Sequence, residues 1–421
     1  MTIQQIFTPT NLVAQLEAGP LGSFLSALAD RLQQQRYAKR TIQMYLRAVD
    51  TFGAWLQQQA IPISALDEAI VTRYIASLER RPIKGAQSGA FPHEALGLTH
   101  FLSLLRHQQV IAPPRSDPPT TPIALFLTEY QQYLTQTLGS APIIQRQHLL
   151  FARRFLAFAF PAQELSWSEL SAPQLTQFVT QQAARRHRHG KKGPASSVRV
   201  LLRYLTFQGK VRAGLEAAIP TQRTWQHASL PTHLSTPEVA QVLQTVQDGS
   251  ALGTRDYAIL LLLARLGLRA GEVLRLQLDD LDWQAGVLLV HASKMQRERK
   301  LPLSEEVGTA LLAYLRTGRP TPSSHRAIFL HHTAPYQPLQ DACAVGAIVR
   351  RALQRAGIER ARGRAHLLRH AAATRMVNGG ASFKEVADVL GHQSLQTTAL
   401  YAKLNLAALA AVALPWPGGE L

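Results

Sequence analysis

The segment "RDYAILLLLARLGLRAGEV", residues 255–273, has an almost unbroken apolar run between charged ends. A helix with one solvent-facing side would show polar residues every few positions, and this run does not. The pattern therefore predicts a helix that is buried on all sides. Arg269 and Glu272 follow directly after the run.

Short strands are predicted further along the chain. "GVLLVHA" (286–292) and "RKLPLS" (299–304) are rich in branched apolar residues and bounded by polar ones. The exposed, charged "SKMQRE" between them predicts a hairpin that presents Lys294. The block containing these elements is therefore predicted to be mixed α/β, mainly helical with a small β-sheet.

Capping signals predict where helices begin in the same block. Ser235 or Thr236 can cap a helix whose capping box is completed by Glu238, and Ser382 with Glu385 forms a second box. Further helices are predicted at 305–316, 345–356, 366–378, 382–390 and from 394 onward.

Two proline-rich breaks divide the sequence. They are "APPRSDPPTTP" (112–122) and "IPTQRTWQHASLPTH" (219–233). Proline and polar residues in such density are typical of linkers. We therefore expect three domains, at 1–112, 122–220 and 233–421, of which the first two are all-α bundles.

The first two blocks resemble one another at an ungapped offset of about one hundred residues. "RTIQMYLRAVDTFGAWL" (40–56) aligns with "IIQRQHLLFARRFLAFA" (143–159), and "THFLSLLRHQQVI" (99–111) with "RVLLRYLTFQGKV" (199–211). This predicts a duplicated bundle of about four helices. The alternative is that two helical bundles share a pattern without common origin.

The charge of the chain favours an extended anionic partner. Lys and Arg number 45 against 27 Asp and Glu, giving a net charge of +18 and a pI near 10.5. No basic amphipathic segment stands out as a membrane anchor, so nucleic acid is the expected partner. Arginine greatly outnumbers lysine, which suits bidentate phosphate contacts, and the codon usage of a GC-rich genome is the alternative explanation.

Other composition features predict a soluble cytoplasmic protein. No apolar run is long enough to cross a bilayer, and the N-terminus lacks the features of a secretory signal. The single cysteine, Cys343, excludes an internal disulfide and makes a cysteine-based zinc site unexpected. We expect this thiol to be a small buried apolar group.

Clusters of basic residues at loops and helix entries predict DNA contacts, because phosphate contacts form most easily there. A solvated surface is the alternative for any such cluster. The candidates are Arg36, Lys39, Arg40 and Arg47 in the first block, Arg185, Arg186, Arg188, Lys191 and Lys192 in the second, and Arg297 and Arg299 near the hairpin.

The third block also carries side chains that suit phosphoryl transfer. In chain order they are Arg269, Lys294, His366, Arg369, His392 and Tyr401. Each alone is a common packing or surface residue. As a set they offer a nucleophile, cations for the charge that develops on phosphate oxygens, and an acid for the leaving alkoxide. Acidic residues are sparse around them, so we expect no metal ion.

This arrangement resembles the tyrosine recombinases, or phage integrase family, with the bacterial Xer-type enzymes as relatives. "LGLRAGEVLRLQLDDLDW" is similar to the family's first box and "HASKMQRERKLPL" to its lysine hairpin. "HLLRHAAATRM" is similar to the second box and "LGHQSLQTTALYAKL" to the last. The resemblance covers the whole third block and makes Glu272 the structural support of Arg269.

The resemblance implies a mechanism. Tyr401 would attack a phosphodiester to give a 3′-phosphotyrosine and a free 5′ hydroxyl, with Lys294 as general acid. The two arginines with His366 and His392 would hold the phosphate. Neither ATP nor a metal would be needed, and four protomers on two DNA duplexes would exchange strands through a Holliday junction.

The resemblance also implies roles for the remaining chain. Residues 122–220 take the place of the family's DNA-clamping helical domain, of the SAM-like, core-binding type. The additional bundle at 1–112 could bind accessory DNA, extend the grip on the core site or contact accessory recombinases and DNA-bending proteins. A mobile-element integrase or transposase is favoured over a chromosome-dimer resolvase. A type IB topoisomerase activity and an inactive DNA-binding regulator are the alternatives.

Overall fold

The computed structural model describes most of the chain. Its described residues are 6–7, 10–79, 92–113, 121–161, 164–184, 192–220, 233–291, 298–321, 323–359, 365–392, 394 and 398. They are mainly helical, with one small β-sheet in the C-terminal part. Among these residues no helix is both long enough and apolar enough to cross a membrane.

The N-terminal part of the chain is helical in both predicted bundles. The first contains α1 (Thr10–Ala18), α2 (Gly22–Gln34), α3 (Lys39–Gln58), α4 (Glu68–Glu79) and α5 (Pro92–His107). The second contains α6 (Pro122–Gln132), α7 (Pro142–Ala159), α8 (Ala172–Ala184) and α9 (Lys192–Phe207). Buried apolar side chains form one core within residues 6–111 and another within 126–219.

Local details of the two bundles agree at the offset found in the sequence. Residues 101–110 and 201–210 are buried, half-buried and exposed in the same order, position by position. The turns after α5 and α9 both have a positive φ, 59° at Gln109 and 68° at Gly209. A positive φ directly after a helix is a common helix ending and occurs also at Arg36 and Ala60, so the duplication stays a prediction.

The chain divides into two compact units, residues 1–112 together with 227–421, and residues 113–226. Both divisions fall inside the proline-rich segments. Within the first unit, Arg36 Nη1 donates to the carbonyl of Thr321 at 2.6 Å. The sequence predicted Arg36 as a DNA contact, and the structure places its guanidinium on a backbone carbonyl.

The C-terminal part surrounds the buried helix predicted from the sequence. Its helices are α10 (Thr236–Gln244), α11 (Ala251–Arg265), α12 (Ala270–Arg275), α13 (Glu305–Ala313), α14 (Ala342–Arg355), α15 (Ala365–Asn378) and α16 (Phe383–Leu390). Residues 258–264 of α11 are at most 3% exposed, and this helix contacts α10, α13, α14 and α15. The prediction of a helix buried on all sides is confirmed.

The small sheet consists of β1 (Leu281–Asp282), β2 (Val287–Val290) and β3 (Arg299–Pro302) in antiparallel order. The two strands predicted from the sequence are present, and Val290 pairs with Arg299 at the end of the hairpin. The two-residue strand β1 was not predicted, because a segment this short has no recognisable alternation.

Predicted helix starts are also present. Ser235 caps α10 and Ser382 caps α16, each in a capping box with the glutamate three residues later, Glu238 and Glu385. The helix predicted from residue 394 onward lies outside the described residues, apart from Ser394 and Thr398.

Candidate functional site

A cavity of about 570 Å³ opens between the start of α12, α14 and α15. Three of the residues predicted to carry chemistry line it, namely Arg269, His366 and Arg369. His366 and Arg369 are three positions apart on α15, so they share one face of that helix. The predicted residues that line the cavity are therefore two arginines, which are permanent cations, and one imidazole.

Arg269 is held by the first turn of α12 and by the end of α16. Its backbone N–H donates to Glu272 Oε2 at 2.8 Å, and its Nη1 donates to Glu272 Oε1 at 2.9 Å. Nη1 also donates to the carbonyl of Leu390, and Nη2 to that of Gly391, both at 3.2 Å. The side chain keeps 28% of its surface exposed, so the fixed guanidinium can still meet a ligand.

Glu272 is the buried counter-ion of this group, with 2% exposure. Burial alone would raise its pKa, but hydrogen bonds from Arg299 and Arg269 outweigh burial and lower it. The carboxylate is therefore ionised and can fix both guanidinium groups. Structural support of Arg269 by Glu272, implied by the family resemblance, agrees with these contacts.

Arg369 is buried, with 3% exposure, and spans two backbone segments. Its Nη1 donates to the carbonyl of Gly267, and its Nη2 donates to that of Leu390 at 2.7 Å. Gly267 has a φ of +62°, and a Cβ there would lie 2.5 Å from Cδ2 of Leu390. Glycine is therefore favoured at this turn. The carbonyl of Leu390 accepts from both Arg269 and Arg369.

His392 follows the left-handed turn that ends α16. Gly391 has a φ of +64°, and the N–H of His392 donates to the carbonyl of Ala387 at 2.9 Å. The imidazole Nδ1 is 2.8 Å from Oγ1 of the fully buried Thr398. Burial, followed by the charges of Arg369 and Arg269, lowers the pKa of His392 to about 4, so the ring is neutral at pH 7.

A second histidine accompanies His366 on α15. The rings of His366 and His370 are 6.1 Å apart, and burial together with the charges of His366 and Arg369 lowers the pKa of His370 to about 4. His370 was not singled out from the sequence, although its position four residues after His366 placed it near the same face.

Several predicted site residues fall outside the part of the chain that the structure describes. Lys294 and Tyr401 lie outside the described residues, as do Arg297 and most of the basic run of the second bundle, Arg185, Arg186, Arg188 and Lys191. Lys192 begins α9. In the first bundle Lys39, Arg40 and Arg47 are exposed, with the guanidinium of Arg47 5.6 Å from the Phe7 ring centroid.

Two expectations are corrected by the structure. Cys343 is exposed and lines the cavity, rather than being buried, because it lies in the first turn of α14 on the side that faces Arg269. Arg299, predicted to contact DNA, has a side chain only 9% exposed and donates to Glu272. A charged residue at a strand start suggested a surface position, and its buried counter-ion lies 27 residues earlier in the chain.

Sequence reasoning also missed Arg350, an exposed residue on α14 that lines the cavity one turn after Gly346. The spacing of four residues was visible, but nothing in it indicated which face of α14 meets the arginines. Within the described ranges, no three His, Cys, Asp or Glu side chains lie close enough to hold a metal ion.

Comparison with known proteins gives matches over most of the chain. The family model described as "Phage integrase family" matches residues 233–407. The chain is 34% identical to the putative integrase/recombinase y4rA of Sinorhizobium fredii, over 95% of both chains. It is 32% identical to the tyrosine recombinase XerC of Lactobacillus delbrueckii subsp. bulgaricus, over 50% of this chain and 70% of the relative.

A solved structure shares the fold. The XerH site-specific recombinase, in its post-cleavage complex with a palindromic difH substrate, aligns with a TM-score of 0.56 at 18% identity. The alignment covers 82% of this chain and 95% of that chain. The mainly helical architecture with a small sheet is therefore the fold seen in this solved recombinase.

Proposed function

The chain belongs to the phage integrase family of tyrosine recombinases, and on that basis we propose that it is a site-specific DNA recombinase that cuts and rejoins DNA through Tyr401. The observation that carries the proposal is the convergence of Arg269, His366 and Arg369 on one cavity. Both arginines are fixed by backbone carbonyls before any ligand arrives. Preorganised cations of this kind stabilise charge that develops on a phosphate.

The chemical step assigns one role to each group. The phenol oxygen of Tyr401 forms a bond to phosphorus, and the bond from phosphorus to the 5′ oxygen breaks. The arginines and His366 stabilise the phosphate oxygens, and Lys294 gives the leaving 5′ oxygen its proton. His392, neutral at pH 7, is suited to accept the phenol proton.

Rejoining is the reverse of cleavage. A 5′ hydroxyl from the partner strand attacks the 3′-phosphotyrosine and releases the phenol, so the energy of the phosphodiester is kept in the covalent intermediate. Neither ATP nor a metal ion is part of this scheme. Four protomers on two duplexes, exchanging strands in pairs through a Holliday junction, complete the proposed reaction.

We assign most of the DNA backbone contacts to the second bundle. Residues 113–226 contain 14 Lys and Arg against 5 Asp and Glu, whereas residues 1–112 contain 10 against 7. Phosphate contacts account for most of the affinity of a DNA-binding domain. The second bundle thus suits the core-binding role, and both bundles are proposed to be of the same SAM-like type.

The substrates we propose are double-stranded recombination sites of a mobile element. Relatives over nearly the whole chain carry integrase/recombinase names, and the solved XerH neighbour is bound to a difH substrate. The relative y4rA aligns over 95% of this chain, so the alignment includes residues of the first bundle. An extra domain of this kind suits an integrase that assembles with accessory DNA or proteins.

Covalent trapping tests the proposal. The full-length protein is incubated with a pool of nicked duplexes that cover DNA on both sides of its gene, labelled so that only a 3′-linked product retains the label. A band that survives denaturation in the wild type and is lost in Tyr401→Phe is expected. Tyr336→Phe, a change at a tyrosine outside the cavity, is the matched control and should keep the band.

Two outcomes of this experiment would contradict the proposal. If the protein binds these duplexes tightly and yields no Tyr401-dependent covalent band, it is a DNA-binding protein without the chemistry. If supercoiled plasmid is relaxed regardless of sequence and no recombinant product forms, the activity is that of a topoisomerase.

A further inference from the structure

Arg299 is the first residue of β3 and comes directly after the hairpin segment that contains Lys294. Its backbone is paired with Val290 across the sheet. The side chain turns inward and is 9% exposed, whereas the next residue, Lys300, is exposed. The two adjacent cations of one strand therefore have different surroundings.

The guanidinium of Arg299 donates hydrogen bonds to two other segments of the chain. Nη2 and Nη1 donate to the two carboxylate oxygens of Glu272 at 2.9 and 3.3 Å. Nε donates to the carbonyl of Val389 at 2.9 Å, in the last turn of α16. A planar fork with a third donor at its side is a geometry that lysine cannot reproduce.

A close backbone contact completes this arrangement. A Cβ on Gly391 would lie 2.8 Å from Nη1 of Arg299, so the guanidinium packs against the turn that leads to His392. The carbonyl of the same Gly391 accepts from Arg269. Arg299 thus contacts Glu272, which supports the cavity residue Arg269, and the turn that leads to His392.

We propose that Arg299 is a positioning residue that fixes Arg269 and His392 in the geometry required for DNA cleavage, through Glu272 and the 389–391 turn. The inference rests on the proposed recombinase function. Arg299 itself does not touch the DNA.

The test separates DNA affinity from the rate of cleavage. Arg299→Lys and Arg299→Met are compared with Lys300→Met, which removes the neighbouring exposed cation. We expect both Arg299 variants to bind a nicked duplex within about threefold of the wild type and to cleave it roughly 100-fold more slowly at saturation, as for loss of one preorganised donor. Lys300→Met should keep the saturated cleavage rate.

A second readout does not depend on cleavage. The charge of Arg299 is one of the causes that lower the pKa of His392. In Arg299→Met, a nuclear magnetic resonance titration should show a higher pKa for His392 than in the wild type. Arg299→Lys, which keeps the charge, should show a smaller change in this pKa while still cleaving slowly.

Two results would overturn the inference. A direct DNA contact would appear as weaker binding with a salt dependence reduced by about one ion and an unchanged saturated rate. A purely structural role would appear as a lower melting temperature with the cleavage rate per folded molecule and the His392 titration unchanged. If the wild type fails to cleave, the recombinase proposal fails, and the His392 titration still decides the placement of Arg299.

Discussion

Two buried arginine–carboxylate clusters lie in the C-terminal part of the molecule, and they differ in what remains exposed. In the first, Arg255 donates to Asp256 at 2.7 and 3.0 Å and to the carbonyl of Leu330 at 3.1 Å. Its side chain is 6% exposed. In the second, Glu272 accepts from both Arg269 and Arg299, and Arg269 remains 28% exposed on the cavity.

The difference indicates which cluster can act on a ligand. Burying an ion pair has a desolvation cost that the pair itself roughly offsets, so neither cluster need add much net stability. Around Asp256 the charges satisfy one another and hold α11 against its neighbours. Around Glu272, one carboxylate holds two arginines and leaves a cation facing the cavity, which is the arrangement that anion binding requires.

The largest expected effect is on stability at the first cluster. Arg255→Met should destabilise the surroundings of α11 by roughly 3–5 kcal/mol, because Asp256 would remain buried without its main partner. Hydrogen exchange at the amides of residues 258–264 measures this loss. Arg351→Met is the control, since Arg351 is half exposed and 3.6 Å from Asp256, and it should cost less than about 1 kcal/mol.

Protection of α11 that is unchanged in Arg255→Met would show that the first cluster is not a structural support. Loss of DNA cleavage per folded molecule in this variant would show that the two clusters are not separate in function.

The next effect is on activity at the second cluster. Arg269→Met should slow covalent cleavage by about 10²–10³-fold, because one preorganised donor to the phosphate is lost. Stability should change less than in Arg255→Met, since Arg299 continues to neutralise Glu272. Single-turnover cleavage and a thermal melt of the same preparation give both quantities. A variant that cleaves normally would contradict the assignment of Arg269 to the phosphate.

The sequence predicted those structural features that depend on residues close together in the chain. The buried helix α11, the strands β2 and β3, and the capping boxes at Ser235 and Ser382 could all be predicted. Each depends on residues within a few positions of one another. Local hydrogen bonds and helical periodicity determine them directly.

Contacts between distant segments could not be predicted. The inward side chain of Arg299 depends on Glu272 and Val389, which lie 27 and 90 residues away in the chain. A four-residue strand does not reveal which of its faces is buried. The exposure of Cys343 likewise depends on where α14 lies relative to α12, and this is decided by packing alone.

Two histidines provide a smaller test of the same comparison. Burial and the charges of nearby arginines lower the pKa of His332, near Arg255, and of His392, near Arg369, to about 4. Both rings are neutral in the folded protein at pH 7 and take up a proton more readily when unfolded. The stability of the folded protein is therefore greatest with respect to these two histidines above pH 6.5. It decreases as the pH falls from about 6.5 towards 4, because the unfolded chain then binds protons that the folded protein does not.

Bound DNA should change the pKa of one of these two histidines and not of the other. A bound phosphate near Arg269 and Arg369 would raise the pKa of His392 by roughly one unit or more, whereas His332 should titrate as in the free protein. Imidazole resonances measured with and without a short duplex, and assigned with His332→Gln and His392→Gln, test this. Equal shifts at both histidines would mean that the phosphate does not bind beside His392.

The smallest expected effect is at an exposed pair that resembles the buried clusters in geometry. Arg265 donates to both carboxylate oxygens of Glu306 at 2.6 and 3.0 Å, and Glu306 is 42% exposed. Water can replace either partner here, so Glu306→Gln should lower stability by less than about 1 kcal/mol, and 1 M salt should remove most of that difference. Thermal melts at low and high salt measure it, with cleavage expected to remain unchanged. A loss of stability as large as that of Arg255→Met would mean that the paired hydrogen bonds of the fork, rather than burial, determine how much an arginine–carboxylate pair stabilises the fold. Burial would then not explain the difference between the two buried clusters.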